Sequence, residues 1–361
     1  MNVLMLNYEY PPLGGGGGKV CQNLSEILVR GKDRVSVVTM AFHGLRGKEN
    51  CHGVRIHRVP CWRSRKTVCH PWEQLTYCIS AYRYIRKNIN IRQYDVVHCH
   101  FIIPTGLLAL WLKKTYGIRY IVTAQGSDVP GHNDARFKYL YKIVRPLWIM
   151  ILKNAEVVTA PSSYLADKIR ASYPKADCRI IPNGIFTGSY TAGEREKSII
   201  TVSRLQKSKG IQDLIEVCAK LDMGEWRVNI LGEGPYRKEI GKLIQKYHLQ
   251  DRVFLRGYVS EEEHLHYLKH ASIYFTGSWF EAMPVSVLEA MASRNVVIAS
   301  DIAPHRQLLP EECIYKSLDE LAGKLRKLMS EADFVKEYPV KEYDWKNVVQ
   351  QYRQIYQQIR M

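Results

Sequence analysis

The sequence predicts an α/β protein made of two doubly wound parallel-sheet domains facing a central cleft. Three observations predict it. The chain has 361 residues, enough for two domains at roughly 100–200 residues each. Short β-branched runs alternate with amphipathic stretches of helical period, the pattern of a parallel sheet covered on both faces. The alternation halts at Ile-Pro-Asn-Gly-Ile (residues 181–185), crosses a stretch rich in Gly, Ser, Thr and charge up to Glu196, and restarts. The domains are therefore placed at 1–183 and 184–340, with a last segment at 341–361.

The elements follow in order. In the first half, strands are read at 3–7, 35–39, 54–59, 95–98, 120–123 and 156–160. Helices are read at 19–29, after the glycines 14–18, at 73–87, and from Pro104, a residue favoured in a first helical turn. In the second half, strands at 198–202, 227–231, 252–255, 272–276 and 296–299 alternate with helices at 210–221, 236–247, 261–270 and 284–292. A final helix covers 345–360. Ligands of such sheets bind outside the carboxyl ends of the strands, so the chemistry is expected in the loops that follow them.

Composition narrows the class. Hydrophobic residues at 46% and charged residues at 24% exclude disorder, collagen and fibrous coiled coil. A formal net charge of +17 favours an anionic partner: nucleic acid, an anionic membrane face or a phosphate-bearing small molecule. The nine cysteines are odd in number and contain no Cys-x-x-Cys, which reads as free thiols in a reducing compartment. No secretory signal is visible, and no apolar run reaches the roughly 18 residues of a membrane span. The segment 101–112 is interrupted by Pro104, Thr105 and Gly106, and 143–152 by Arg145 and Pro146. The expectation is a cytoplasmic chain, soluble or peripheral on the membrane face.

The richest segment is 280–292, Phe-Glu-Ala-Met-Pro-Val-Ser-Val-Leu-Glu-Ala-Met-Ala. It follows a strand, and Pro284 stands where a helix begins. The amides of residues 283–286 then lack helical partners and can face an anion. Glu281 lies ahead of the helix and Glu289 inside it, so the two carboxylates can address different parts of one extended ligand. By itself such a pair is also what a helix-entry acid and a solvated face residue give. After the strand at 198–202, Arg204 and Lys209 can bracket a diphosphate, the first with a planar fork and the second with a point charge; solvated loop cations are the plainer reading. Gly232-Glu233-Gly234-Pro235 is a turn opening a helix. Arg256-Gly257-Tyr258-Val259 leads into Ser260 and Glu263, a capping box.

In the first half, Pro11, Pro12 and the glycines 14–18 follow the first strand. Glycine lets the backbone approach a phosphate or sugar closely. No Gly-Lys-Ser/Thr closes the loop, so it is not a Walker loop. His98 and His100 alternate on a strand, which suggests metal, but with no third ligand in sight a structural or acceptor-loop role is preferred. Basic patches at 63–66 and 83–87 lie near Trp62, Trp72, Tyr77, Tyr82 and Tyr84. They read either as a surface resting on anionic lipid or as a solvated face over an aromatic core. No nucleic-acid-binding motif accompanies the charge.

Residues 281–292 resemble the Glu-x7-Glu signature of the retaining nucleotide-sugar glycosyltransferases of the GT-B architecture, family four, with Ala282 at a Gly position. The Arg204–Gly210, Gly232–Pro235, Arg256–Val259, Pro11–Lys19 and His98–His100 segments are similar to elements of that family in the same order. The resemblance implies two Rossmann-like domains, an acceptor-binding one at 1–183 and a donor-binding one at 184–340, with the last helix crossing back to the first. It implies Arg204, Lys209 and Glu281 as catalytic residues. Gly16, Gly17, Gly232, Gly257, Tyr258, Ala282, Met283, Pro284, Val285 and Glu289 would bind the donor, with Gly16 and Gly17 completing the diphosphate cradle on closure and Glu289 on the ribose. His98, His100, Gln125 and Asp128 would meet the sugar or acceptor.

The implied activity is metal-independent transfer of a sugar, with retention, from a UDP- or GDP-linked donor to a glycan or lipid-linked acceptor hydroxyl in glycan, polysaccharide or glycolipid biosynthesis. No tightly bound cofactor is implied. A nucleotide-sugar epimerase or phosphorylase of the same architecture, and a non-catalytic sugar-nucleotide or anionic-membrane binding module, are the alternatives. Three departures stand out. Gln125 replaces a His that meets the sugar in relatives, and Arg294 replaces a Gly. Ala303-Pro304-His305-Arg306-Gln307 replaces Gly-Gly/Ile-Pro-Glu and adds two potential cations.

Overall fold

The computed structural model describes residues 1–132, 134–330 and 335–360, with side chains of 134–140 excluded. It divides into two compact units, Met1–Gly184 with Trp345–Met361, and Ile185–Asp344.

The first unit carries β1 (Asn2–Leu6), α1 (Gly16–Arg30), β2 (Arg34–Met40), β3 (Lys48–Cys51), β4 (Val54–Val59), α2 (Pro71–Asn88), β5 (Val96–His100), α3 (Thr105–Tyr116), β6 (Tyr120–Thr123), α4 (Asp134–Asn154), β7 (Val157–Ala160), α5 (Ser163–Ser172) and β8 (Cys178–Ile180). The sheet order is β3-β4-β2-β1-β5-β6-β7-β8. All pairs are parallel except the edge pair β3–β4. The second unit carries β9 (Glu196–Val202), α6 (Ile211–Cys218), β10 (Arg227–Leu231), α7 (Arg237–Lys246), β11 (Val253–Gly257), α8 (Glu261–His270), β12 (Ala271–Thr276), α9 (Val285–Ala292), β13 (Val296–Ser300), α10 (Ala303–Leu308), β14 (Ile314–Tyr315) and α11 (Leu318–Met329). Its sheet is wholly parallel, in the order β11-β10-β9-β12-β13-β14.

The central strands are mostly buried because both of their faces are covered. Four of the five residues of β1 and all six of β12 are buried. In the second unit, one face of the sheet buries Ile199, Leu214, Val228, Ile240 and Leu321, and the other buries Ile200, Leu231, Leu268, Leu288 and Val297. The chain's last helix, α12 (Trp345–Arg360), buries Trp345, Val348, Val349, Tyr352, Ile355, Tyr356 and Ile359, the three-and-four spacing of one helical face. These side chains join the core of the first unit beside Val3, Met5, Val96 and Ile121.

Each sheet reverses its winding at one place, between β1 and β5 in the first unit and between β9 and β12 in the second. A crevice opens outside the carboxyl ends of strands at such a switch point. The loops after β1 and β5, and those after β9 and β12, are the ones so placed, and they hold the sequence motifs. The structure differs from the sequence reading in smaller elements. The strands β3 and β8 are short edge strands, one polar and one of three residues, and carry little periodicity. The helix α4, which was not read from the sequence, contains Pro146. The chain passes between units at Gly184/Ile185 and at Asp344/Trp345, a few residues from the expected 183/184 and 340/341.

Candidate active site

In the second unit, the loop after β9 and the loop after β12 are stitched together. The Trp279 amide donates to the Ser208 carbonyl at 2.9 Å. This brings Lys209 onto Glu281, with Nζ 2.5 Å from Oε1, and the Ser278 hydroxyl donates to the same oxygen at 2.8 Å. Both side chains of the ion pair are about four-fifths buried, at 21% and 19% exposure. Burial by itself would raise the Glu281 carboxyl. The charge and hydrogen bond of Lys209 and the Ser278 hydroxyl more than offset it and hold Glu281 below the usual carboxylate range. Arg204 stands exposed in the loop after β9.

Glu289, just over one turn into α9, is held by residues that the sequence did not mark. The Tyr190 hydroxyl donates to Oε1 at 3.0 Å, and His264 Nε2 stands 3.3 Å from Oε2. Tyr190 lies ahead of β9, near the start of the second unit, and His264 in α8, so no local pattern links either to Glu289. The start of α9 departs from expectation in one respect. The Val285 amide is not open for an anion, because it donates to the Met283 carbonyl at 3.1 Å. Ala282 precedes this turn, and Pro284 is the N-cap of the helix. Gly232 has a positive φ of +120°, and a Cβ there would lie 2.0 Å from the Ser203 carbonyl oxygen. A close approach of the loop after β9 therefore accounts for this glycine. Gly257 ends β11, and Tyr258 after it is 77% exposed.

The rim after β13 corrects the sequence reading. His305 adds no cation: it is fully buried, its Nδ1–H donates to the Ser300 carbonyl at 2.8 Å, and burial pushes its pKa down. Arg306 pairs with Asp301. Arg294 has φ +60°, a left-handed conformation that explains why glycine suits this position.

In the first unit, the loop after β1 leads into α1, whose N-cap is Gly15. The Asn7 side-chain amide donates to the Gly17 carbonyl at 3.2 Å. Space around Gly16 is open, whereas a Cβ on Gly17 would lie 2.7 Å from Phe101 Cζ and 3.4 Å from Gln125 Cγ. Gln125 therefore sits against the helix start. Its Nε2 donates to His100 Nδ1 at 3.2 Å, which leaves the amide oxygen as an acceptor. His100 is fully buried and held neutral, its pKa pushed down to about 3 by burial; its Nε2 finds no hydrogen-bond partner among the described residues.

Two expected sugar contacts are corrected. His98 is fully buried and both ring nitrogens are used, Nδ1 with the Tyr356 hydroxyl and Nε2 with Thr123 Oγ1, each at 2.7 Å. It is a core residue that ties β5 to β6 and α12. Asp128 is 5% exposed, and its carboxylate accepts the Ile102 amide at 2.6 Å and the Gln125 amide at 2.9 Å. It clamps the loops after β5 and β6 rather than facing a ligand. Among the described residues, no group of three or more His, Cys, Asp or Glu side chains is placed to hold a metal ion.

Comparison with known proteins places this arrangement. Residues 14–188 match Glycosyltransferase Family 4, and residues 187–339 match Glycosyl transferases group 1. The chain belongs to this glycosyltransferase family. An uncharacterized glycosyltransferase of Methanocaldococcus jannaschii, MJ1607, is 25% identical over 99% of this chain and 98% of its own. The alpha-monoglucosyldiacylglycerol synthase of Streptococcus pneumoniae is 25% identical over 73% of this chain and 66% of its own. Among solved structures, sucrose-phosphate synthase from Thermosynechococcus elongatus superposes with TM-score 0.82 at 19% identity, covering 99% of this chain and 98% of that one. Anabaena HepE, in complex with UDP and glucose, superposes with TM-score 0.78 at 14% identity, covering 99% and 100%. These structures establish the GT-B fold for this glycosyltransferase.

Proposed function

We propose that this glycosyltransferase moves a sugar from a nucleoside diphosphate to an acceptor hydroxyl with retention at the anomeric carbon, the second unit holding the donor and the first the acceptor. The observation that carries this reading is the Lys209–Glu281 pair at 2.5 Å, set in a loop beside Arg204. A departing diphosphate needs positive charge, and Lys209 and Arg204 supply it without a metal. Glu281 fixes Lys209 and offers its second oxygen to the sugar hydroxyls. Glu289, steadied by Tyr190, takes the ribose hydroxyls.

Retention is supported by the state of the candidate bases. An inverting displacement needs a base to take the acceptor proton. His98 has both nitrogens engaged, His100 gives Nδ1 to Gln125, and Asp128 receives two amides. In a same-face reaction the new bond to the anomeric carbon forms where the diphosphate bond breaks, and the leaving diphosphate oxygen takes the acceptor proton. Gln125, oriented by neutral His100, presents its amide oxygen to a hydroxyl.

A UDP-linked donor is the first to test, because HepE is described with UDP and glucose. Calorimetric titration with UDP- and GDP-sugars in EDTA should reveal a binding donor. Lys209→Ala should then lower turnover by at least about 100-fold. NMR of the product should show the anomeric configuration of the donor. Near-wild-type turnover by the variant, inverted product or loss of activity in EDTA would overturn the corresponding part of the reading.

A further inference from the structure

The helix α2 has two apolar faces, and only one of them is used by the core. Its buried side is Glu73, Tyr77, Cys78, Ala81 and Ile85. On the opposite side, Trp72 is 50% exposed, Leu75 50% and Ile79 39%. Their spacing of three and four residues lines them up, and Tyr82, Arg83 and Arg86 continue the same stripe. Trp62, 65% exposed, lies edge-on to Trp72 with ring centroids 5.7 Å apart. Beyond Ile79 the stripe runs into a groove of about 420 Å³ lined by Ile79, Tyr82, Arg83, Trp111, Lys114 and Thr115. A run of exposed Trp, Leu and Ile on one helix face is not what a solvated surface needs.

The charge around this ridge has one sign. Between residues 61 and 93 the only acidic residue is Glu73, and it is buried, its carboxylate accepting the amides of Ser64 and His70. Arg65, Lys66, Arg83, Arg86, Lys87 and Lys114 are exposed. The structure also separates this surface from residues that the sequence placed with it. Arg63 is buried and donates to the carbonyls of Tyr8, Arg65 and Lys66, and the Tyr77 hydroxyl donates to the Val38 carbonyl. No helix among the described residues is long and apolar enough to cross a membrane.

We infer that the outer face of α2, with Trp62 beside it, docks the protein on a membrane surface rich in anionic lipid headgroups. The indoles and the Leu75 and Ile79 side chains enter the headgroup layer, and the flanking Lys and Arg side chains meet the lipid phosphates. Apolar insertion and electrostatic attraction add in such an arrangement, and each basic residue near the surface contributes measurably. The inference stands apart from the transfer reaction and needs neither donor nor turnover to be tested.

The test is co-sedimentation of the full chain with vesicles. It should pellet with phosphatidylcholine vesicles containing about one-third phosphatidylglycerol, and be released as salt shortens the Debye length. Pure phosphatidylcholine should retain little. The variant W72S/L75S/I79S should partition at least about tenfold more weakly with an unchanged melting temperature, since all three residues are exposed. R83E/R86E should lose at least about tenfold as well. K220E/K238E, which removes as much charge from the second unit, should lose far less. Wild-type binding by W72S/L75S/I79S, equal binding to neutral vesicles, or an equal loss in K220E/K238E would overturn the inference. So would a chain that ignores vesicles but forms dimers that this triple variant abolishes.

Discussion

Asp128 shows how much a single carboxyl in this protein depends on its surroundings. Burial raises it to about 6, although amide donors from Ile102, Gln125, Asp128 and Gly126 pull the other way. In the unfolded chain an Asp titrates near about 3.9, so the native state holds this proton more tightly. Its contribution to stability is therefore fully present at low pH and is lost as pH rises through that window. Denaturant unfolding of wild type and Asp128→Asn should show it. The wild-type advantage over the variant should shrink by about 2 kcal/mol between about pH 4.5 and 7.5. A growing advantage would mean that the ionised form is the one the loops prefer. The two histidines of β5 were legible as a pair but not as roles. Only the positions of Tyr356, Thr123 and Gln125 separate the core residue from the one that orients the Gln125 amide. Those partners are 25 or more residues away in the chain, beyond any local pattern.

At the scale of elements, the loop that carries Lys209 depends on the packing of two backbones. Gly210 has φ +65°, and a Cβ on it would lie 2.0 Å from the Gly277 carbonyl oxygen. This contact joins the loop after β9 to the loop after β12 and so sets Lys209 against Glu281. Gly210→Ala should cost more than about 1 kcal/mol and lower turnover by at least about tenfold. Gly323→Ala, with open space around an exposed position in α11, should gain about 0.5–1 kcal/mol in thermal unfolding and leave turnover alone. If both variants behave alike, the close approach is not what places Lys209. The central strands, the capping box of α8 and the helix start before Glu289 were readable, because each is written in local period or spacing. The engaged Val285 amide and the neutral, buried His305 were not, since both follow from contacts within a folded loop.

At the scale of the chain, the last helix belongs to the unit that the chain left at Gly184. Seven buried side chains of α12, at about 1.5–3 kcal/mol each, represent at least as much as the net stability of many ordinary domains. A chain ending at Asp344 should therefore lose the cooperative unfolding of its first unit, seen by hydrogen exchange of β1 and β5, while amides of β9 and β12 stay protected. Continued protection of β1 would show that α12 is dispensable to that core. Two sheets and the alternation of their central strands and helices could be read from the residues alone, because hydrophobic period and turn chemistry are local properties. Folding then set the surroundings of individual side chains. Desolvation and distant partners made His98 structural, kept His100 neutral, turned Asp128 into a clamp and left one face of α2 uncovered. Burial and long-range contacts arise only when segments far apart in the chain are brought together.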